Sequence, residues 1–152
     1  MGQSPDGESL NYQEGEEFHQ GKIHFTDKYI KESTIFTTAP TKIAEANSIL
    51  VCVRAPVGVV NITKRKICIG RGLCAIQATQ GLIDGNYLYY FLKSQKEYFE
   101  NNSTGSTFKA INGDILRNLI VPIPPLNEQK RIVRKVEAIY SILENIEASL
   151  QS

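Results

Sequence analysis

The sequence lacks the groupings on which most catalytic and metal-binding chemistry depends. Its three cysteines, Cys52, Cys68 and Cys74, are odd in number and include no Cys-x-x-Cys pair, which argues against a disulfide framework and the common zinc sites. They fall in apolar, strand-like runs and are expected to be buried thiols in a reducing compartment, with the cytoplasm as the default location. Only two histidines are present, His19 and His24, and no metal-ligand spacing surrounds them, so structural histidines are expected rather than ligands. Gly70-Arg-Gly72 lacks the rest of a dinucleotide-binding turn, and no phosphate-loop lysine follows it. Pro5-Asp6 and Glu128-Gln-Lys130 bear a superficial likeness to a metal-dependent nuclease pattern, but more than a hundred residues separate them. No Ser/His/Asp or Cys/His grouping can be assembled. No apolar run approaches the length of a membrane span, and the first residues have neither the basic start nor the apolar stretch of a signal peptide. Such a chain is expected to bind rather than catalyse, with no metal or cofactor of its own.

What is present is ordinary in amount and uneven in distribution. The 152 residues suffice for one domain with a real core, and 41% hydrophobic and 22% charged residues fit a globular protein. The net charge of +1 hides a division of sign. Residues 1–32 carry seven acids and three bases, whereas residues 42–83 carry six bases (Lys42, Arg54, Lys64, Arg65, Lys66, Arg71) and one acid, Glu45. A locally positive region on a near-neutral chain points modestly to a polyanion, although an exposed basic hairpin is often only solvated surface.

The polar stretch 2–48 reads as loops and short strands, and its abrupt opening at Gly2-Gln-Ser-Pro5 suggests that an earlier element is missing. Ile49–Val53 is a continuous apolar run and is expected as a buried strand. Val59–Ile62, Ile67–Ile69 and Leu73–Ile76 follow as three more, forming one compact sheet with basic residues at its turns. Asp84 then caps a helix of about 16 residues with Tyr87, Leu88, Phe91, Leu92, Tyr98 and Phe99 on its apolar face. After a polar loop at 101–107, a helical turn begins at Gly113-Asp114, and Leu119–Ile123 reads as a last strand, with Pro122 marking an edge or a strand end. Strands and helices mix without βαβ alternation, so the fold class is α+β.

No Gly or Pro interrupts the chain after Pro125. The apolar residues Ile132, Val136, Ile139, Leu143, Ile146 and Leu150 recur every 3.5 residues, the seam of a helix that lies along another helix. Asn127 is the expected N-cap, with Glu128 in the first turn. Lys130, Arg131, Arg134 and Lys135 occupy the first half of this helix, and Glu137, Glu144 and Glu147 the second. An antiparallel partner with the same layout would set the basic half against the acidic half. The alternative is an amphipathic helix folded back on its own domain.

Four stretches give the sequence a resemblance to the specificity subunit of type I restriction-modification systems, in particular to one target recognition domain with its following spacer helix. They are Gly2-Gln-Ser-Pro5 with Tyr12-Gln-Glu-Gly15 and Phe18-His-Gln-Gly21; Gly70-Arg-Gly-Leu-Cys-Ala-Ile76; Gly105-Ser-Thr-Phe-Lys-Ala-Ile111; and Val121-Pro-Ile-Pro-Pro-Leu-Asn-Glu-Gln129. The resemblance implies a compact mixed sheet-and-helix DNA recognition domain at 1–125 and a spacer or dimerisation helix, a coiled-coil helix, at 126–152. It implies that two such domains, separated by two antiparallel spacer helices, each read half of a split double-stranded DNA site. The helices would act as a ruler and dock adenine-specific methyltransferase subunits that use S-adenosylmethionine, and a restriction subunit would join as translocase and nuclease. None of these activities would belong to this chain. It departs from the pattern in holding one domain and one helix, as a fragment of a longer subunit or a half-length subunit that pairs with a second copy.

For such binding, affinity comes from cations at phosphates and specificity from side chains at base edges. Lys64, Arg65 and Lys66 are the expected phosphate contacts, with Lys109, Ser106 and Thr107 as lesser ones. Arg71, between two glycines that permit close approach, is a candidate for a bidentate contact to guanine, or else a turn residue satisfying carbonyls. The competing reading is a helix-mediated protein-interaction module without DNA binding, which would show no salt-sensitive binding.

Overall fold

The computed structural model describes residues 1–105 and 109–150. A 3-10 turn at Gly7–Ser9 precedes eight short strands: β1 (Leu10–Asn11), β2 (Glu16–His19), β3 (Phe36–Thr37), β4 (Ile43–Ala44), β5 (Ile49–Cys52), β6 (Val60–Ile62), β7 (Ile67–Ile69) and β8 (Leu73–Ile76). Four helices follow, α1 (Gly85–Ser94), α2 (Lys96–Asn101), α3 (Gly113–Arg117) and α4 (Leu126–Leu150). The class is α+β.

The four strands between 49 and 76 do not form the single sheet expected from sequence. One sheet has the order β6-β5-β8, all antiparallel, and the other has the order β1-β3-β2-β7-β4, in which β7 runs parallel to β2. The N-terminal polar segment claims β7, because Phe18 and His19 pair with Cys68 and Ile69. β5 is buried at every position, since it packs on both faces. Ile49 and Val51 face a cluster with Leu88, Tyr89, Leu92 and Phe99, while Leu50 and Cys52 face Ile67, Ile69 and Leu73. Two-sided burial explains why this strand reads as an unbroken apolar run rather than an alternation.

The Asp84 carboxylate accepts from the Asn86 and Tyr87 amides at 3.0 and 3.1 Å, so the expected cap is present. The helix it starts is broken at Gln95 into α1 and α2. Ser94 Oγ donates back to the Phe91 carbonyl at 2.7 Å, and the Gln95 amide reaches Leu92 with 3-10 spacing. Both features tighten and bend a helix. The bend directs Phe99, fully buried, against Gly58.

Residues 119–123 form no strand. Pro122 has no amide to pair, and its carbonyl accepts from the Tyr87 hydroxyl at 2.9 Å instead. α4 also begins one residue before the expected cap. The Pro125 carbonyl takes the Glu128 and Gln129 amides at 2.8 and 3.0 Å, leaving Asn127 inside the first turn with Glu128.

Candidate nucleic-acid interface

The basic turn 64–66 is tied to the domain's own acids. Glu17, at the start of the sheet crossing, receives Arg65 through Nε and Nη2, each at 2.5 Å. It also accepts the Ser33 amide at 2.6 Å and His19 Nε2 at 2.7 Å. Burial pushes the Glu17 carboxyl up, but these donors together outweigh it and hold it at about 2. His19 is buried, and burial lowers its pKa against the pull of Glu17. Its Nδ1 has no partner among the described residues. Lys66 reaches Glu16 at 2.9 Å, and Lys64 Nζ sits 4.0 Å from the Tyr29 ring centroid. Of the three, Lys64 alone is without a carboxylate partner among the described residues.

Arg71 lies elsewhere, on the rim of a hollow of about 480 Å³ that it shares with Lys42 and residues Met1 to Ser4. Gly70 beside it, and Gly2 across the hollow, are required by the chain's own packing rather than by an open approach. A Cβ on Gly70 would stand 2.9 Å from the Phe18 ring, and one on Gly2 would stand 2.2 Å from the Gly70 carbonyl oxygen. The N-terminal segment is stitched down here by Gly2 donating to the Leu73 carbonyl and Gln3 to that of Ile69, at 2.8 and 3.1 Å. Arg71 itself remains exposed, with its amide 3.4 Å from Ser4 Oγ.

Lys109 precedes Ala110, which pairs antiparallel with Thr104 through two amide-to-carbonyl bonds of 2.9 Å. This pair lies along the end of β5. The Ala55 amide donates to the Lys109 carbonyl and the Ile111 amide to that of Val53, both at 3.0 Å, which brings Arg54 beside it. Ser106 and Thr107 lie outside the described residues. Sequence reading counted Lys42 and Arg54 in the basic excess without singling them out, because only the tertiary pairing joins them to Arg71 and Lys109. Among the described residues, none of Lys42, Arg54, Arg71 and Lys109 takes part in an ion pair.

α4 divides into a docked half and a bare half. Gln129 and Val133 are buried and Ile132 and Val136 half-buried. Tyr140 stacks on Tyr90 at 6.0 Å, and Glu137 bonds Lys28 at 2.8 Å. Beyond them Ile139, Leu143, Ile146 and Leu150 are 57%, 49%, 50% and 81% exposed, and Ile142 joins them. No helix among the described residues is long and apolar enough to cross a membrane, and they contain no cluster of three or more metal-ligating side chains.

A two-sheet domain with bare cations on its loops and a protruding amphipathic helix describes a binding domain on a helical stalk. Residues 7–152 match the model of the type I restriction modification DNA specificity domain, and the chain belongs to that family. It is 41% identical over 145 residues to a protein of Methanocaldococcus jannaschii assigned as the MjaX type I restriction enzyme specificity subunit, covering 95% of this chain and 34% of that one. The MjaIX specificity subunit of the same organism is 30% identical over 128 residues, with 83% of this chain and 28% of that protein covered. The crystal structure of the HsdS subunit from Thermoanaerobacter tengcongensis matches with a TM-score of 0.87 at 33% identity, over 98% of this chain and 36% of that one. A chain from a structure describing complex assembly and conformational transition of the type I R-M system matches with a TM-score of 0.86 at 35% identity, over 98% and 37%. This chain thus spans about a third of the length of the relatives it matches.

Proposed function

We propose that this chain reads one half of a divided double-stranded DNA target for a type I restriction-modification system and performs no chemistry itself. The observation that carries the reading is the family match across 7–152, which takes in both the domain and the helix. The exposed cations at Lys42, Arg71, Arg54 and Lys109 support it, because phosphate neutralisation needs charges not already answered by the protein's own carboxylates. In this reading residues 1–125 recognise DNA and 126–152 form the spacer. The bare stripe from Ile139 to Leu150 pairs antiparallel with a second such helix, from another copy or another part of a longer subunit. The pair carries adenine methyltransferase subunits, and the restriction subunit joins that assembly.

The division of labour is tested by labelled methyl transfer. The chain alone should transfer no methyl groups from S-adenosylmethionine to DNA, and transfer should appear when the cognate methyltransferase subunit is added. Transfer by the chain alone would overturn the reading.

A further inference from the structure

Gln129 is fully buried, yet each polar atom of its amide is used. Oε1 accepts the Asp84 amide at 2.7 Å, and Nε2 donates to the Leu82 carbonyl at 3.0 Å and the Pro124 carbonyl at 2.8 Å. One side chain in the first turn of α4 is thereby joined to the backbone that leads into α1, and Val133 packs one turn further along. A second attachment lies at Tyr140, about 16 Å up the helix at 1.5 Å per residue. There the Tyr140 ring stacks on Tyr90 at an interplanar angle of 21°, and the Glu137 carboxylate takes both Lys28 Nζ at 2.8 Å and the Tyr90 hydroxyl at 3.3 Å. Burial pulls the Lys28 pKa down, but its hydrogen bond to Glu137 and the nearby tyrosines raise it overall. Two attachments three turns apart fix a direction, whereas one would leave a pivot.

We propose that Gln129 and the Tyr140–Tyr90–Glu137–Lys28 clasp are positioning residues that set the angle at which α4 leaves the recognition domain, and through it the number of base pairs between two half-sites. The inference rests on the reading above that α4 spans the distance between halves. Its leverage follows from length. From Gln129 to Leu150 the helix extends about 30 Å, so a tilt of about 7° displaces its tip by more than the roughly 3.4 Å rise of one base pair. A ruler that resolves single base pairs needs its base held more tightly than that. The residues that touch DNA choose the bases, and this attachment chooses how far apart they are read.

The test uses the assembled methyltransferase complex containing this chain and a library of random-sequence duplexes, selected by binding and then sequenced. The parent complex should return two half-motifs at a single separation. Gln129→Met, and independently the surface variant Tyr140→Ala with Glu137→Ala, should return the same half-motifs at several separations, the parental one losing at least threefold in share. Tyr140→Phe, which keeps the stacked ring, should retain the parental separation. The Tyr140 and Glu137 variant keeps the test decisive if Gln129→Met fails to fold. If the parent shows a single separation and the folded variants keep it, the positioning role is overturned. If the parent returns no paired motif, the ruler reading itself fails and the inference with it. Altered half-motifs at an unchanged separation would assign these residues to base recognition and overturn the proposal.

Discussion

Glu17 accepts four hydrogen bonds from three residues. It stands where β2 meets the 64–66 turn and answers Arg65, Ser33 and His19 together. Its carboxyl is held at about 2, below the ordinary 4.5, so the stability it contributes is present above pH 4.5 and is lost as pH falls from there toward 2. His19 acts in the same direction. Its lowered pKa means that protonation below its usual 6.5 works against the folded state. Replacing Glu17 with Gln removes the charge facing Arg65, and a partly buried pair broken on one side costs roughly 2 kcal/mol. Urea unfolding followed at several pH values should show that loss at pH 7 and a shallower acid decline below pH 4.5 than in the parent. An equally steep decline would place the acid-sensitive group elsewhere. Cys52 fits the same residue-scale logic, since burial pushes its thiol up to about 12 and suits a core residue rather than a nucleophile.

At the scale of elements, the sequence was informative wherever the signal was local. The run Ile49–Cys52, the cap at Asp84 and the turn at Gly113 needed only local chemistry to be read. The assignment of β7 to a different sheet from β5 was not legible, because its parallel partner, residues 18 and 19, lies about fifty positions earlier. The break at Gln95 arises from a serine bond to the backbone and from the space beside Gly58, neither of which disturbs the apolar pattern. In α4 the long helix was legible, but the division of its apolar stripe into a docked and a bare half depends on where α1 ends. Ile139 lies just at that division. Ile139→Asp exchanges an exposed apolar group for a charge and should leave thermal unfolding by circular dichroism within about 0.5 kcal/mol of the parent. Helix pairing, read by sedimentation, should be abolished, because a charge buried in a seam without a partner costs several kcal/mol. Global unfolding of Ile139→Asp from a parent that is monomeric at every concentration would make the helix part of its own domain's core and end the pairing idea.

For the molecule as a whole, the near-neutral net charge conceals its arrangement. Two of the seven acids of the first 32 residues, Glu16 and Glu17, are folded against the basic turn, so the basic excess legible in residues 42–83 is partly neutralised in three dimensions. What remains without a carboxylate partner among the described residues is Lys64, over the Tyr29 ring, Lys42 and Arg71 at their shared hollow, and Arg54 beside Lys109. Gln129 was legible as part of a motif, but its role was not, because its partners are backbone groups up to 47 residues away. On the proposed reading these loop cations, rather than the helix, meet DNA phosphates. The most direct measurement is the salt dependence of DNA binding by the parent, by a variant with Lys42, Arg54, Arg71 and Lys109 all changed to Ala, and by a control with Lys130→Ala and Lys135→Ala on α4. Each phosphate contact contributes about 0.9 to the slope of log affinity against log salt, so the fourfold variant should be flatter by up to about 3.6, and the helix control should be unchanged. A flattened slope in the helix control, with the parental slope kept in the fourfold variant, would place the phosphate contacts on α4 and rule out the loop cations.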